Sequence, residues 1–208
     1  LVSSSLAFLA VQHCRALSVM GQRQSRHVDD DDDDDEECKA SGQVQVINES
    51  VFHNVMTMAR LDRRRRKNYN FHPTLASDVQ RFLNAMLRGT YIRPHRHEKS
   101  ESFIILQGLV VFFLFDDNGN VSESHTLGAR DEQATKSVGI DIGPRVWHTL
   151  VVLSDHAICF EVKPGPYDAD TDKEPAPWAP KEDEEASYAA YQARLLVIHD
   201  EIQAASSN

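Results

Sequence analysis

His95, His97 and Glu101 place three metal-binding side chains within seven residues, on sequence that otherwise reads as β-strand. This constrains the fold more than any other feature of the chain. Residues two apart on a strand project from one face, so both imidazoles can reach one point. Pro94 cannot donate to a sheet ladder and suits a strand start or edge. Glu98-Lys99-Ser100 lets the chain turn. Glu101 then opens a second strand, Ser102 to Gln107, from which its carboxylate can swing back. Two His and one carboxylate form a facial set that leaves positions open on a divalent transition metal. A lone His-x-His pair is equally compatible with a polar strand face near the surface.

More strand-like runs surround this stretch. Val79 to Leu87 partly alternates, and Leu109 to Phe115 is apolar on both faces. The latter belongs in a doubly covered strand or at an interface, so a homodimer is among the expectations. Asp116-Asp117-Asn118-Gly119-Asn120 is a hairpin signal between two strand-like runs. Val121 to Leu127 is the return strand and Gly128 to Lys136 a polar loop. Val138 to Ile142, Thr149 to Leu153 and Ala157 to Val162 complete the set. Many short strands with regularly spaced turns indicate a sandwich or barrel.

Helices flank these strands. From about Val44, Ile47, Val51, Val55 and Ala59 recur every four residues, which predicts an amphipathic helix ending in the basic run Arg60 to Lys67. That run reads as a solvated helix end or as an arginine clamp for a substrate anion. Nucleic-acid binding ranks lower, because no aromatics are interleaved. Asn68 to Pro73 reads as a loop, with His72 either satisfied locally or facing a pocket. After Val162 the prolines between Pro164 and Pro180 favour an extended tail anchored by Trp178. From Glu182 a second helix is expected, with Tyr188, Tyr191, Leu195, Ile198 and Ile202 on one face. The expected division is a disordered, targeting-like acidic tail over 1–43, a metal-binding domain with its leading helix over 44–180, and a C-terminal helix over 181–208.

The net charge is −10, but the run Asp29 to Glu37 supplies nine acids, and without them 23 acids face 22 bases. The acidity therefore belongs to a linker that is expected to be disordered. Residues 1–28 hold Arg15, Arg23, Arg26 and five serines but no acid, a composition that fits an organelle transit peptide. No 18-residue apolar run exists, so no transmembrane helix is expected. Three cysteines without a CxxC pair indicate a reducing compartment. An intracellular protein, cytoplasmic or organellar, is the expectation.

From Gly89 the pattern is five residues, His95, one residue, His97, three residues, Glu101, six residues and Gly108. It resembles the first motif of the cupin superfamily at every position. The resemblance implies a fourth ligand from a second motif, and His148, after Gly143-Pro144-Arg145 and before the apolar run to Leu153, is the candidate. That motif is degraded: Gly143, Arg145 and Val152 stand where the family usually has Pro, Gly and Asn. Four pieces (ARLDRRRRKNYNFHP, DVQRFLNAMLRGTYIRPHRHEKSESFIILQG, PRVWHTLVV and EVKPGPYD through PWAPKE) resemble the WbuC family of cupin-fold metalloproteins over residues 55–182. The resemblance implies a jelly-roll barrel with one bound divalent metal: Fe, Mn, Zn, Ni or Co. Bacterial members occur among surface-polysaccharide genes, which suggests sugar chemistry.

Strand parity then predicts the lining. Tyr91 and Arg93 should share the face of His95 and His97. Phe103, Ile105 and Gln107 should share that of Glu101, and Leu150 and Val152 that of His148. The expected pocket is mostly apolar, with Tyr91, Arg93, Gln107, Arg81 and Glu161 as polar groups. Asn70, His72 and Arg65 are upstream substrate contacts, and Tyr91 is a candidate acid or base. The expected function is a mononuclear metal enzyme, an isomerase, epimerase or dioxygenase, acting on a small sugar-like or carboxylated substrate. The alternative is a non-catalytic small-ligand cupin with a structural metal.

Overall fold

Among the described residues, ten β-strands and two helices follow one another in chain order. In the computed structural model they are α1 (Glu49–Leu61), β1 (Arg66–Asn70), β2 (Val79–Leu87), β3 (His95–Arg96), β4 (Glu101–Gln107), β5 (Leu109–Phe115), β6 (Val121–Gly128), β7 (Gly139–Ile142), β8 (Trp147–Val152), β9 (His156–Pro164), β10 (Glu174–Pro175) and α2 (Glu185–Ser206). The structure describes residues 43–206 apart from Lys136. The transit-like segment, the acidic run, Cys14 and Cys38 lie outside the described residues.

The strands form two antiparallel five-stranded sheets, ordered β1-β2-β9-β4-β7 and β10-β3-β8-β5-β6. Strands β2 to β9 pair as one long hairpin rolled up on itself: β2 with β9, β3 with β8, β4 with β7, β5 with β6. That pairing defines a jelly roll, with helices at both flanks. Between the sheets lies a core of Met86, Phe103, Ile105, Val110, Phe112, Leu150, Val152 and Cys159. Cys159 is therefore a core residue, and burial pushes its thiol well above the ordinary range.

Each sheet has a covered outer face. Val55, Met56 and Ala59 of α1 pack on Leu83, Ala85 and Ile158. On the other sheet, Val111, Phe113, Phe115, Trp147 and Val151 meet Ala176, Ala179 and Leu195. Leu109–Phe115 is thus apolar on both faces because both faces are covered. Tyr191 packs on this second layer, and His199 is buried between Ser124 and Thr126 of β6, 2.8 and 3.0 Å away. Trp178 anchors the proline-rich segment by packing on Phe115 and Trp147.

Three expectations at the N-terminal side are corrected. The leading helix begins at Glu49, because Asn48 is extended and its side chain accepts from Ser50 and Val51 N–H, an N-cap. The helix stops at Leu61, so the basic run is not its end. Arg65 turns the chain at φ 60°, and Arg66–Asn70 becomes an edge strand paired with β2. Alternating Lys67, Tyr69 and Phe71 carried that strand signal, which the turn-forming asparagines masked.

Candidate metal centre

The four ligand candidates come from three strands and the turn after β3. His95 lies opposite His148 across β3 and β8. Glu101 opens β4, and His97 stands in the turn between them. The candidate ligand atoms of His95, His97, Glu101 and His148 all fall within 4.8 Å of one another. His97, Glu101 and His148 are buried.

Hydrogen bonds fix how the rings present themselves. His95 Nδ1 contacts the Arg93 carbonyl at 2.8 Å, His148 Nδ1 the Val146 carbonyl at 2.9 Å, and His97 Nδ1 the Asp172 carbonyl. A carbonyl oxygen only accepts, so each Nδ1 carries the proton, and a neutral ring then keeps its lone pair on Nε2. Burial pulls the His95 ring well below its ordinary range and lowers His97, favouring that neutral form. His148 Nε2 approaches Glu101 Oε1 to 2.6 Å, and His97 Nε2 approaches it to 3.4 Å. Yet Glu101 Oε1 and His148 Nε2 are buried atoms with no aligned hydrogen bond. Lone-pair atoms this close need a positive centre among them. A proton on His148 would serve one pair; a divalent cation would serve all four. Such orphaned, converging donors fit a metal ion, and their Nδ1 partners supply the outer shell that holds metal-bound imidazoles.

Arg145 stands where a glycine is usual, and it adopts φ 64°. The left-handed conformation costs a non-glycine residue about 1 kcal/mol. Arg145 N–H donates to the His97 carbonyl at 2.7 Å, tying the two ligand-bearing turns together.

A pocket of about 40 Å³ opens beside the cluster, lined by His97, Glu101, Lys99, Lys163, Thr171 and Asp172 among others. This is room for roughly two or three waters or a group of that size. The pocket is charged, which corrects the apolar lining expected. Phe103, Ile105, Leu150 and Val152 do face inward, but they fill the core below. Lys163 lies opposite Gln80 at the start of β2, level with Glu101, and its ammonium contacts Asp172 Oδ2 at 2.6 Å. Burial pulls Lys163 down, but Glu161 and Asp172 outweigh it and hold the ammonium above its usual range.

The other sequence candidates divide. Glu161 faces inward, opposite Phe103 and Phe82, one row below Glu101. Burial, then the Glu101 charge, push its carboxyl up to about 8. Asn70 is buried on the same row, opposite Phe82. His72 Nδ1 accepts from Arg81 N–H, which ties it to the start of β2. Arg81 itself is exposed and shares the outer face with Leu83 and Ala85, so it does not reach the pocket. Gln107 is turned away by a β-bulge after Ile105, which pairs it with Ile158 on the α1 side. Parity failed also before His95, where only two residues are strand. Tyr91 instead stacks on Tyr188 at 4.6 Å and donates to the Pro180 carbonyl. Burial pushes its phenol above the ordinary range, and its O–H is committed to that carbonyl rather than to the cluster. Arg93 clamps the Ala176 carbonyl at 2.6 Å. Arg65 precedes Arg66, which pairs with Met86, six residues along β2 from Gln80. Six residues of strand span about 20 Å, so the arginine clamp reading fails.

Lys163 and Asp172 were missed. A basic residue next to Pro164 and an aspartate in an acidic loop carry no local signal of burial. Only the pairing of β9 with β4 and the path of the chain after β9 bring them to the cluster.

Glu161 makes a measurable contribution. Its folded-state carboxyl is raised above the unfolded value, so between about pH 4.5 and 8 the folded protein holds a proton that the unfolded chain has lost. Stability from this group is therefore highest at low pH and falls by roughly 1.4 kcal/mol per pH unit across that window. Glu161→Gln in chelator-treated protein should flatten this slope and raise the urea midpoint at pH 8 relative to wild type. An unchanged slope would show that Glu161 ionises normally.

Residues 47–127 match a family model described as a domain of unknown function, DUF6016, which spans less than half of the chain. No curated protein matches in sequence. Among solved structures, a conserved Streptococcus pyogenes protein of unknown function is similar at 13% identity over 51% of this chain and 80% of its own, with a TM-score of 0.39. Oxalate decarboxylase from Bacillus subtilis is similar at 14% identity and a TM-score of 0.39, over 49% of this chain and 24% of its own. KdgF from a Halomonas species is similar at 19% identity over 50% of this chain and 82% of its own, with a TM-score of 0.37. The match therefore covers only about a quarter of the oxalate decarboxylase chain.

Proposed function

We propose that this protein is a mononuclear metal-dependent cupin of WbuC-like type, an enzyme acting on a small sugar-like or carboxylated substrate. The observation that carries the reading is the tautomer lock. Three Nδ1–H groups point at carbonyls, so three Nε2 atoms and one buried carboxylate oxygen face one point. His95, His97, Glu101 and His148 would hold the ion. A bound divalent metal would supply Lewis-acid polarisation of a carbonyl or hydroxyl, or a site for dioxygen if it is iron.

The chain's own residues supply the rest. Asp172 holds the His97 ring through its carbonyl and pairs with Lys163 through its carboxylate. Pro166, Asp168, Thr171 and Asp172 wall one side of the pocket. Glu161 keeps a proton near neutral pH one row below Glu101. A charged pocket of this size favours a small polar ligand over an apolar one.

The experiment is a chelator-stripped, untagged protein titrated with Mn, Fe, Co, Ni and Zn ions. Free metal at 100 times Kd adds about 2.7 kcal/mol of stability, which should raise the thermal midpoint by roughly 5–10 °C. The stabilising metal is then used in a turnover screen of nucleotide sugars, sugar acids and small carboxylates. A metal that binds but leaves no exchangeable position would favour the non-catalytic alternative.

A further inference from the structure

The Lys163 ammonium is where the pocket's chemistry is least complete. An ammonium has three donors. The hydrogen bond Lys163 makes within the described residues goes to Asp172 Oδ2, at 2.6 Å. The Tyr167 ring lies 5.5 Å from Nζ as a cation–π neighbour, which takes no N–H in a hydrogen bond. The side chain is only 12% exposed, and it lines the pocket beside His97 and Glu101. A buried charge with free donors needs water or a ligand to fill them. Lys99 adds a second ammonium at the rim, held by the Gly165 and Pro166 carbonyls at 2.9 and 3.0 Å.

We infer that Lys163 is the anion-recognition residue of the pocket, taking one oxygen of a small carboxylate whose other end faces the His95–His97–Glu101–His148 cluster. The inference rests on the metal reading above and names the substrate class for that same site. The charges agree with it. Asp172 neutralises Lys163, Glu101 is offset by one charge of a divalent ion, and the ion's remaining charge suits a monoanion. Asp172 acts here as a positioning residue, because it aims both the ammonium and the His97 ring.

The test is calorimetric titration of the untagged, metal-analysed protein with acetate, glycolate and malonate, with acetamide and inorganic phosphate as comparison arms. One carboxylate is expected to bind at least 10-fold more tightly than acetamide and phosphate. Lys163→Gln should weaken that binding by about 10- to 100-fold, the range for a hydrogen bond to a charged group, with metal stoichiometry unchanged. Lys163→Arg, which keeps the charge, should recover most of it and guards against a folding failure of the glutamine variant. Binding unchanged in Lys163→Gln, no carboxylate bound by the metal-loaded protein, or phosphate preferred would each overturn the assignment. Should the protein carry no metal, the metal reading fails on its own measurement. Carboxylate binding that still depends on Lys163 would then sustain the inference, and its absence would end it.

Discussion

Replacing Glu101 by glutamine is expected to weaken divalent-metal binding by more than about 100-fold, beyond the 10–100-fold typical of changes in the shell around the ligands. The fold should survive. Burial pushes the Glu101 carboxyl up, but His148, His97 and Lys163 outweigh burial and hold it below the ordinary range. The folded-state value is depressed, so its stabilisation is present at neutral pH and is lost as pH falls through the unfolded and then the folded value. Glutamine removes the buried charge and places amide N–H groups among the Nε2 lone pairs of His97 and His148, which lie 3.4 and 2.6 Å from Oε1. Metal-free Glu101→Gln should therefore unfold within about 1 kcal/mol of metal-free wild type at pH 7. Competition against a chromophoric chelator measures the first effect, and urea unfolding the second. Metal affinity within a few-fold of wild type would remove Glu101 from the site.

Gly108→Ala is expected to be strongly destabilising. Gly108 has φ +75°, and a Cβ there would sit 2.1 Å from the His156 carbonyl and 2.5 Å from Ser154 Oγ. Neither neighbour can move freely. Ser154 Oγ accepts from Leu109 N–H, and Leu153 N–H donates to the Leu109 carbonyl, bonds that register β5 at the turn. Overpacking costs about 1–3 kcal/mol and the left-handed backbone about 1–2 kcal/mol more. A total of roughly 2–5 kcal/mol lowers the thermal midpoint by about 4–20 °C. Gly143→Ala is the matched control, because a Cβ there meets nothing within 4 Å. It should shift stability by less than about 0.5 kcal/mol. Equal effects of the two substitutions would contradict this account of the flanking glycine.

Three members of the His95–His97–Glu101–His148 cluster were legible because their determinants are local, whereas His148 was placed by the resemblance to a second motif. His95, His97 and Glu101 sit in one glycine-bounded stretch, and the strand runs around them alternate or are apolar throughout. Fold class followed from the same runs, since Val79–Leu87, Leu109–Phe115 and the Asn118-Gly119 turn each carry their own signal. The pocket was not legible, for three physical reasons. A bulge after Ile105 reverses parity, which sequence periodicity cannot announce. The segment leading to His95 is mostly irregular, so alternation from Tyr91 has no strand to act on. Lys163 and Asp172 gain their roles from a long-range crossing of chain, and Arg65 loses its expected role because β1 starts at the far end of β2. The basic run misled because charge alone does not say how far a residue lies from the site: Arg66 pairs with Glu182 and Lys67 is buried.

The central claim is that four named side chains hold one metal ion. Its most direct measurement is the metal-to-protein ratio of untagged protein by inductively coupled plasma mass spectrometry, for wild type and for His95→Ala/His97→Ala. The account predicts close to one divalent transition-metal ion per chain in wild type and near none in the double variant, with both proteins folded by circular dichroism. Equally little metal in both, or equal loading of both, would contradict it.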